Sequence, residues 1–202
     1  MLTHCRVLRK PTWGTCAGLI LLAESANRTK KGGQELIGGL DVRVNRNHFG
    51  RQIESFQAEL DLPFLRQLPS NDGLAAAPVP FKAIFIRAPI VEKLLTTVVG
   101  EQREEAKVED TIVAPSRSID ATIANDIKLA DVEIMGVLPG RTANIKVDMS
   151  NQKFDAEAGN IIAVRQANVF GTSFHPELTS DPRIHVWWLE QVALAVNHRR
   201  NS

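Results

Sequence analysis

The run Gly14-Thr15-Cys16-Ala17-Gly18 constrains the fold of this 202-residue chain more than any other feature. A short apolar stretch precedes it and Leu19 to Leu22 follow, so the pattern predicts a buried strand over Thr12 to Cys16, a sharp turn and a buried helix. Small flanking residues let the backbone turn tightly and present the thiol at the strand end, as in a nucleophile elbow. The N–H groups that open the helix, with Ala17 as the oxyanion donor, are expected to lower the thiol pKa. A buried structural cysteine is the alternative.

A second candidate group lies at Ser173-Phe174-His175-Pro176-Glu177. Pro176 favours an extended His175, and residues i and i+2 of an extended segment face the same side, so Glu177 can orient the imidazole. Together with Cys16 this gives a nucleophile, a base and an orienting carboxylate. Taken alone, a histidine beside a proline is more often an ordinary loop residue, and only the fold can join two positions so far apart in the chain.

Hydrophobic patterning predicts the other regular elements. Strands are predicted at Leu40 to Val44, Ser55 to Leu62 and Phe81 to Arg87, a hairpin at Ile161 to Arg165 with Asn168 to Phe174, and a last helix after Asp181-Pro182. The second of these strands alternates, with Phe56, Ala58, Leu60 and Leu62 on its buried face. The last helix is expected to be amphipathic, with Ile184, Trp187, Trp188, Gln191, Val192 and Ala195 on its inner face.

The stretch from about residue 96 to 155 differs from the rest of the chain. It contains the charged run Glu101 to Asp110 and a weakly periodic remainder with Pro115, Pro139 and Gly140. We therefore predict a single domain over residues 1–202 with an insertion at about 96–155 that is partly ordered at best.

Composition narrows the classes of function. The 24 Lys and Arg residues nearly balance the 23 Asp and Glu residues, which gives a net charge of +1 and removes a charge-based argument for nucleic acid or an anionic membrane. The longest apolar run is far shorter than the roughly twenty residues that cross a bilayer. Two cysteines are too few for a disulfide framework, so a reducing, cytoplasmic location is expected and a specific site must carry the function.

Four runs in this order resemble one family: GTCAGLILLA at 14–23, VNRNHFGRQIESF at 44–56, FIRAP at 85–89 and GTSFHPELT at 171–179. They are similar to the glutaminase subunit of pyridoxal 5′-phosphate synthase, the Pdx2/SNO/PdxT family of class I glutamine amidotransferases. The resemblance implies an α/β, three-layer, flavodoxin-like domain. It also implies L-glutamine as substrate, a synthase subunit as partner in a hetero-oligomer, and neither cofactor nor metal.

The resemblance also implies roles for individual residues. Cys16 would attack the side-chain amide of glutamine, His175 would move the proton to the leaving ammonia, and Glu177 would hold His175. Arg46 matches a glutamine-contacting arginine, and Ile86 with Arg87 matches a substrate-contacting pair. A guanidinium suits a carboxylate because it offers paired donors in a fixed fork.

The chain departs from the family pattern before the elbow. Family members place their first strands and a Gly-Gly-Glu-Ser-like loop ahead of the nucleophile, and that loop supplies half of the oxyanion hole. Because Cys16 comes so early, we expect an N-terminally truncated member that lacks the first strands. Two alternatives stay open: a catalytically silent form that only binds the synthase, and a cysteine hydrolase of the DJ-1/PfpI-like type.

Overall fold

Strands dominate the part of the chain that the computed structural model describes, which is residues 10–28, 35–46, 55–67, 79–95, 105–115, 131–138 and 160–200. The strands are β1 (Thr12–Thr15), β2 (Ala23–Asn27), β3 (Leu40–Asn45), β4 (Ser55–Leu60), β5 (Phe81–Ile86), β6 (Ile90–Leu94), β7 (Thr111–Val113), β8 (Glu133–Val137), β9 (Ile161–Gln166) and β10 (Val169–Thr172). The helices are α1 (Ala17–Leu22), α2 (Arg183–Arg200) and two 3-10 helices, Pro63–Gln67 and Pro176–Leu178.

Eight of these strands form one mixed sheet in the order β1-β10-β9-β6-β3-β2-β7, with β8 also paired to β9. The pairs β1–β10 and β2–β3 are parallel, and the remaining pairs are antiparallel. Strands β4 and β5 form a separate antiparallel sheet. The parallel pairing of β1 with β10 brings the end of the elbow strand beside the residues that lead to His175.

Helices cover both faces of the sheet at β10. On one face a Cβ at Gly171 would lie 2.6 Å from Leu19 Cδ1, so α1 packs directly on the strand. On the other face the rings of Phe170 and Trp187 have centroids 5.0 Å apart, and Trp187 belongs to α2. Neighbouring residues of a strand point to opposite faces, so this alternation produces a helix–sheet–helix arrangement. The predicted three-layer α/β class is confirmed.

Most elements that the sequence predicts are present, with ends shifted by one or two residues. In β4 Phe56 and Ala58 are half-buried, Leu60 is buried, and the residues between them are exposed, as the alternation predicts. Strand β2 was not predicted, because its sequence Ala-Glu-Ser-Ala-Asn carries polar side chains on a buried strand. They are bonded: Glu24 accepts the Gly39 N–H at 3.0 Å, and Ser25 donates to Glu105 at 2.9 Å. Buried polar side chains whose partners are distant in sequence do not produce the hydrophobic alternation by which a strand is predicted.

The described parts of residues 96–155 contain two strands that the sequence analysis did not predict. Strand β7 pairs with β2 and strand β8 pairs with β9, so both belong to the main sheet. Glu105, from the charged run, is only 5% exposed. Its carboxylate bonds Arg43 at 2.7 Å and Lys93 at 3.2 Å, which explains how a charged segment enters the interior. An insertion within this stretch stays a prediction.

Helix α2 is amphipathic only in part. Ile184 and Trp187 are buried as predicted. The outer face is also apolar, because Leu189 and Leu194 are 65% and 62% exposed. Among the described helices, none is both long and apolar enough to span a membrane.

Candidate active site

Cys16 occupies a tight turn between β1 and α1. Its backbone has φ 47° and ψ −104°, a conformation that residues other than glycine rarely adopt. Its N–H donates to the Thr172 carbonyl oxygen at 2.7 Å. A Cβ at Gly14 would lie 2.5 Å from the carbonyl carbon of Gly18, whereas a Cβ at Gly18 would meet nothing within 4 Å. The predicted elbow is confirmed, and Gly14 is the glycine that its close approach requires.

The end of β5 contacts both Cys16 and His175. The Cys16 sulfur lies 3.8 Å from the Ile86 carbonyl oxygen, and the His175 N–H donates to the Ile84 carbonyl oxygen at 2.8 Å. Both carbonyls belong to the last three residues of β5. Two segments separated by 159 positions are therefore fixed on one short piece of backbone.

The His175 ring is oriented by Glu177. Nδ1 of His175 lies 2.7 Å from Oε1 of Glu177, and the side chains are 21% and 50% exposed. Glu177 sits in the 3-10 helix Pro176–Leu178, so a short helix rather than an extended segment brings the two groups together. A carboxylate on Nδ1 favours the tautomer that carries its proton there, which leaves Nε2 as the ring acceptor.

The Cys16 thiol has a pKa above its usual value. Burial raises this pKa most, a hydrogen bond from the Ala17 N–H lowers it, and the negative charge of Glu177 raises it again. The prediction of a lowered pKa is therefore wrong, because loss of solvation outweighs the single backbone donor. A role of the Ala17 N–H as oxyanion donor stays a prediction.

Arg46 follows directly after β3. It is 8% exposed, and burial lowers the pKa of its guanidinium. Its backbone N–H donates to Oδ1 of Asn27, the last residue of β2, at 2.7 Å. The sequence analysis did not identify Asn27, because no local pattern predicts that an amide side chain accepts a hydrogen bond from the neighbouring strand.

Ile86 and Arg87 lie where β5 ends. The Ile86 carbonyl contacts the Cys16 sulfur, and the Ile86 side chain is 38% exposed. Arg87 is exposed and has φ 43°, so the chain turns sharply away from the strand. A non-glycine residue held in this region stores strain of about 1–3 kcal/mol, and such residues cluster at functional sites. Binding of substrate by Arg46, Ile86 and Arg87 stays a prediction.

Comparison with known proteins identifies relatives along most of the chain. A curated relative from Arabidopsis thaliana, named probable pyridoxal 5′-phosphate synthase subunit PDX2, is 38% identical over 90% of this chain and 57% of its own length. Pyridoxal 5′-phosphate synthase subunit PdxT from Acidothermus cellulolyticus is 35% identical over 91% of this chain and 59% of its own length. The chain thus spans less than two thirds of the curated relatives it matches.

A solved structure supports the fold, and a family model supports the relationship. The structure, described as a glutamine amidotransferase, is 28% identical and has a TM-score of 0.53, with coverage of 95% of this chain and 66% of the other. The model of the SNO glutamine amidotransferase family matches residues 2–134 and 127–194. Because these matches extend over more than half of the sequence, the chain belongs to the SNO glutamine amidotransferase family.

Proposed function

We propose that this chain hydrolyses L-glutamine to glutamate and ammonia, with Cys16 as nucleophile, His175 as general base and acid, and Glu177 as the group that orients His175. The observation that carries the proposal is the shared attachment of Cys16 and His175 to the end of β5. The 2.7 Å contact between His175 and Glu177 supports the pairing of base and carboxylate that such a triad requires.

The raised pKa of Cys16 means that the thiol needs a general base, and His175 has this role in the proposal. A thiol that burial keeps protonated must lose its proton as it attacks, and Nε2 of His175 is the ring nitrogen that Glu177 leaves available. The sulfur then bonds to the carboxamide carbon, the C–N bond breaks, and His175 returns the proton to the departing ammonia. Water, deprotonated by His175, attacks the carbonyl carbon of the γ-glutamyl thioester and the C–S bond breaks. Glutamate leaves, and His175 returns the proton to the Cys16 sulfur.

The remaining site residues act on binding and charge. The Ala17 N–H opens α1 directly after Cys16, which supports a role as donor to the oxygen of the attacked carbon. Arg46 and Arg87 supply guanidinium groups for the substrate carboxylate, and Ile86 borders the thiol. None of these steps draws on a metal or a cofactor.

We also infer a partner for the released ammonia. The curated relatives are named as subunits of pyridoxal 5′-phosphate synthase, which supports a hetero-oligomer with the synthase subunit. Ammonia is protonated and lost in bulk water, which favours direct transfer to that subunit. The low cysteine content supports a reducing, cytoplasmic location for the assembly. In this assembly the chain acts as one glutamine amidotransferase domain.

A second candidate is the silent form, which binds the synthase subunit without hydrolysis. The 202 residues contain no Gly-Gly-Glu-Ser run to supply the other half of the oxyanion hole. Loss of one oxyanion donor costs about 10²–10³ in rate, so a form that works with the Ala17 N–H alone would be slow or inactive.

Glutamate release separates the candidates. The purified chain, alone and with the synthase subunit, is incubated with L-glutamine, and Cys16→Ala serves as control. Release by the wild type but not by the variant supports the glutaminase. Binding of the synthase without release favours the silent form. Activity only in a peptidase or deglycase assay favours the cysteine hydrolase.

A further inference from the structure

On the side of β2 the end of β3 is held by a side chain, whereas on its other side β3 pairs with β6 as far as Asn45 and Ile90. Strands β2 and β3 run parallel as far as Ala26 and Val44. At Arg28 the end of β2 bonds to the Asp110 carbonyl instead. The Arg46 N–H is left to donate to Asn27 Oδ1, at 2.7 Å. One amide therefore fixes the backbone from which the Arg46 side chain projects.

Asn27 lies next to a buried hydrogen-bond network that joins three strands. Its strand neighbour in β7 is Thr111, whose hydroxyl accepts from Arg43 at 2.9 Å. Arg43 also bonds the buried Glu105 at 2.7 Å, and Ser25 of β2 donates to the same carboxylate oxygen at 2.9 Å. These contacts join β2, β3 and β7, so the position of Asn27 is set by buried structure rather than by a loop.

Arg46 is unusual because a charged side chain is buried at the end of a strand. It is 8% exposed at a strand exit, and a guanidinium in that setting loses much of its hydration. A guanidinium binds an anionic ligand most tightly when it already has the right position and direction before the ligand arrives.

We infer that Asn27 is a positioning residue for substrate binding, acting through Arg46. This inference rests on the proposed function, in which Arg46 contacts the carboxylate of glutamine. Asn27 touches the Arg46 backbone, so its loss should weaken binding of the glutamine skeleton and leave the chemistry at Cys16 unchanged.

The test uses a diazoketone analogue of glutamine, which alkylates the thiol of Cys16 after binding as the substrate does. Inactivation kinetics separate the binding constant of the analogue from the rate of alkylation. For Asn27→Ala we expect the binding constant to weaken about tenfold, with an alkylation rate within about twofold of wild type. Asn197→Ala, on the exposed side of α2, is the matched control and should change neither.

A double-mutant cycle distinguishes positioning from general damage. If Asn27 acts through Arg46, then Asn27→Ala adds nothing to the weakened binding of Arg46→Ala. Additive effects overturn the inference, and so does an unchanged binding constant in Asn27→Ala. Asn27→Gln, which moves the acceptor by one methylene, covers the case in which the alanine variant does not fold, and unchanged binding there also overturns it.

The outcome for the wild type tests the proposed function separately. If the analogue does not label Cys16 in the wild type, alone or with the synthase subunit, the glutaminase proposal fails before any variant is compared. If the wild type is labelled and the Asn27 variants bind as it does, only the positioning role fails.

Discussion

Nδ1 of His175 lies 2.7 Å from Oε1 of Glu177, and the His175 backbone is bonded to the strand whose end contacts the Cys16 sulfur. The carboxylate thus acts on both groups. It holds the ring in one tautomer, and its charge disfavours the thiolate of Cys16.

We expect Glu177→Gln to lower the kcat of glutamine hydrolysis without removing it, because the amide no longer favours a positively charged imidazole. His175→Ala removes the base and should cost about 10²–10⁴-fold. Steady-state glutamate release measures both. Glu190→Gln, an exposed change on α2, is the control. An unchanged kcat in Glu177→Gln would contradict the orienting role.

The raised pKa of Cys16 predicts slow reaction with a neutral alkylating agent at pH 7. A raised pKa keeps the thiol protonated, so the alkylation rate should rise with pH, with a midpoint above the usual value of 9.0. Glu177→Gln removes a negative charge and should move this midpoint to lower pH. Peptide mass spectrometry after iodoacetamide treatment separates Cys16 from Cys5, and a wild-type midpoint below the usual value refutes the prediction.

Gly14→Ala should destabilise the protein, because its Cβ would lie 2.5 Å from backbone that cannot move independently of α1. Overpacking of this kind costs about 1–3 kcal/mol in the free energy of unfolding. Gly18→Ala is the matched control, since its Cβ enters open space inside a helix and should be neutral or stabilising. Urea unfolding compares the two, and equal midpoints would be inconsistent with the close approach.

Glu105→Ala should lower the free energy of unfolding by about 3–5 kcal/mol, because it removes one partner of a buried ion pair and leaves Arg43 only 14% exposed beside Glu92. Glu109→Ala, an exposed change in the same segment, should stay within about 0.5 kcal/mol of wild type. Chemical denaturation at neutral pH measures both. Similar losses would show that Glu105 is not anchored as described.

The same carboxylate predicts a pH dependence of stability. Burial raises the pKa of Glu105, but hydrogen bonds from Arg43, Ser25 and Lys93 outweigh burial and hold it below the usual value of 4.5. Its contribution is therefore complete above that value and is lost as pH falls through the lower folded-state pKa. The stability difference between wild type and Glu105→Gln should shrink as the pH is lowered through this range. A difference that is constant with pH would contradict the linkage.

Local patterns were sufficient where a few neighbouring residues decide the structure. Examples are Gly14 two residues before Cys16, the alternation in β4 and the proline before Glu177. Each acts through steric effects over two to five positions. The same reasoning failed at β2, where Glu24 and Ser25 are buried, and at β7 and β8. In these strands partners distant in sequence determine pairing and burial, so tertiary context overrides propensity.

The sequence by itself determined the strand–turn–helix at Cys16, the pairing of His175 with Glu177 and the main strands, because short-range sterics and hydrophobic period act within a few residues. Tertiary structure alone decided that the end of β5 contacts both Cys16 and His175, that Asn27 accepts a hydrogen bond from the Arg46 backbone, and that the thiol pKa is raised. Those outcomes depend on desolvation and on contacts between remote segments, which arise only when the whole sheet is packed.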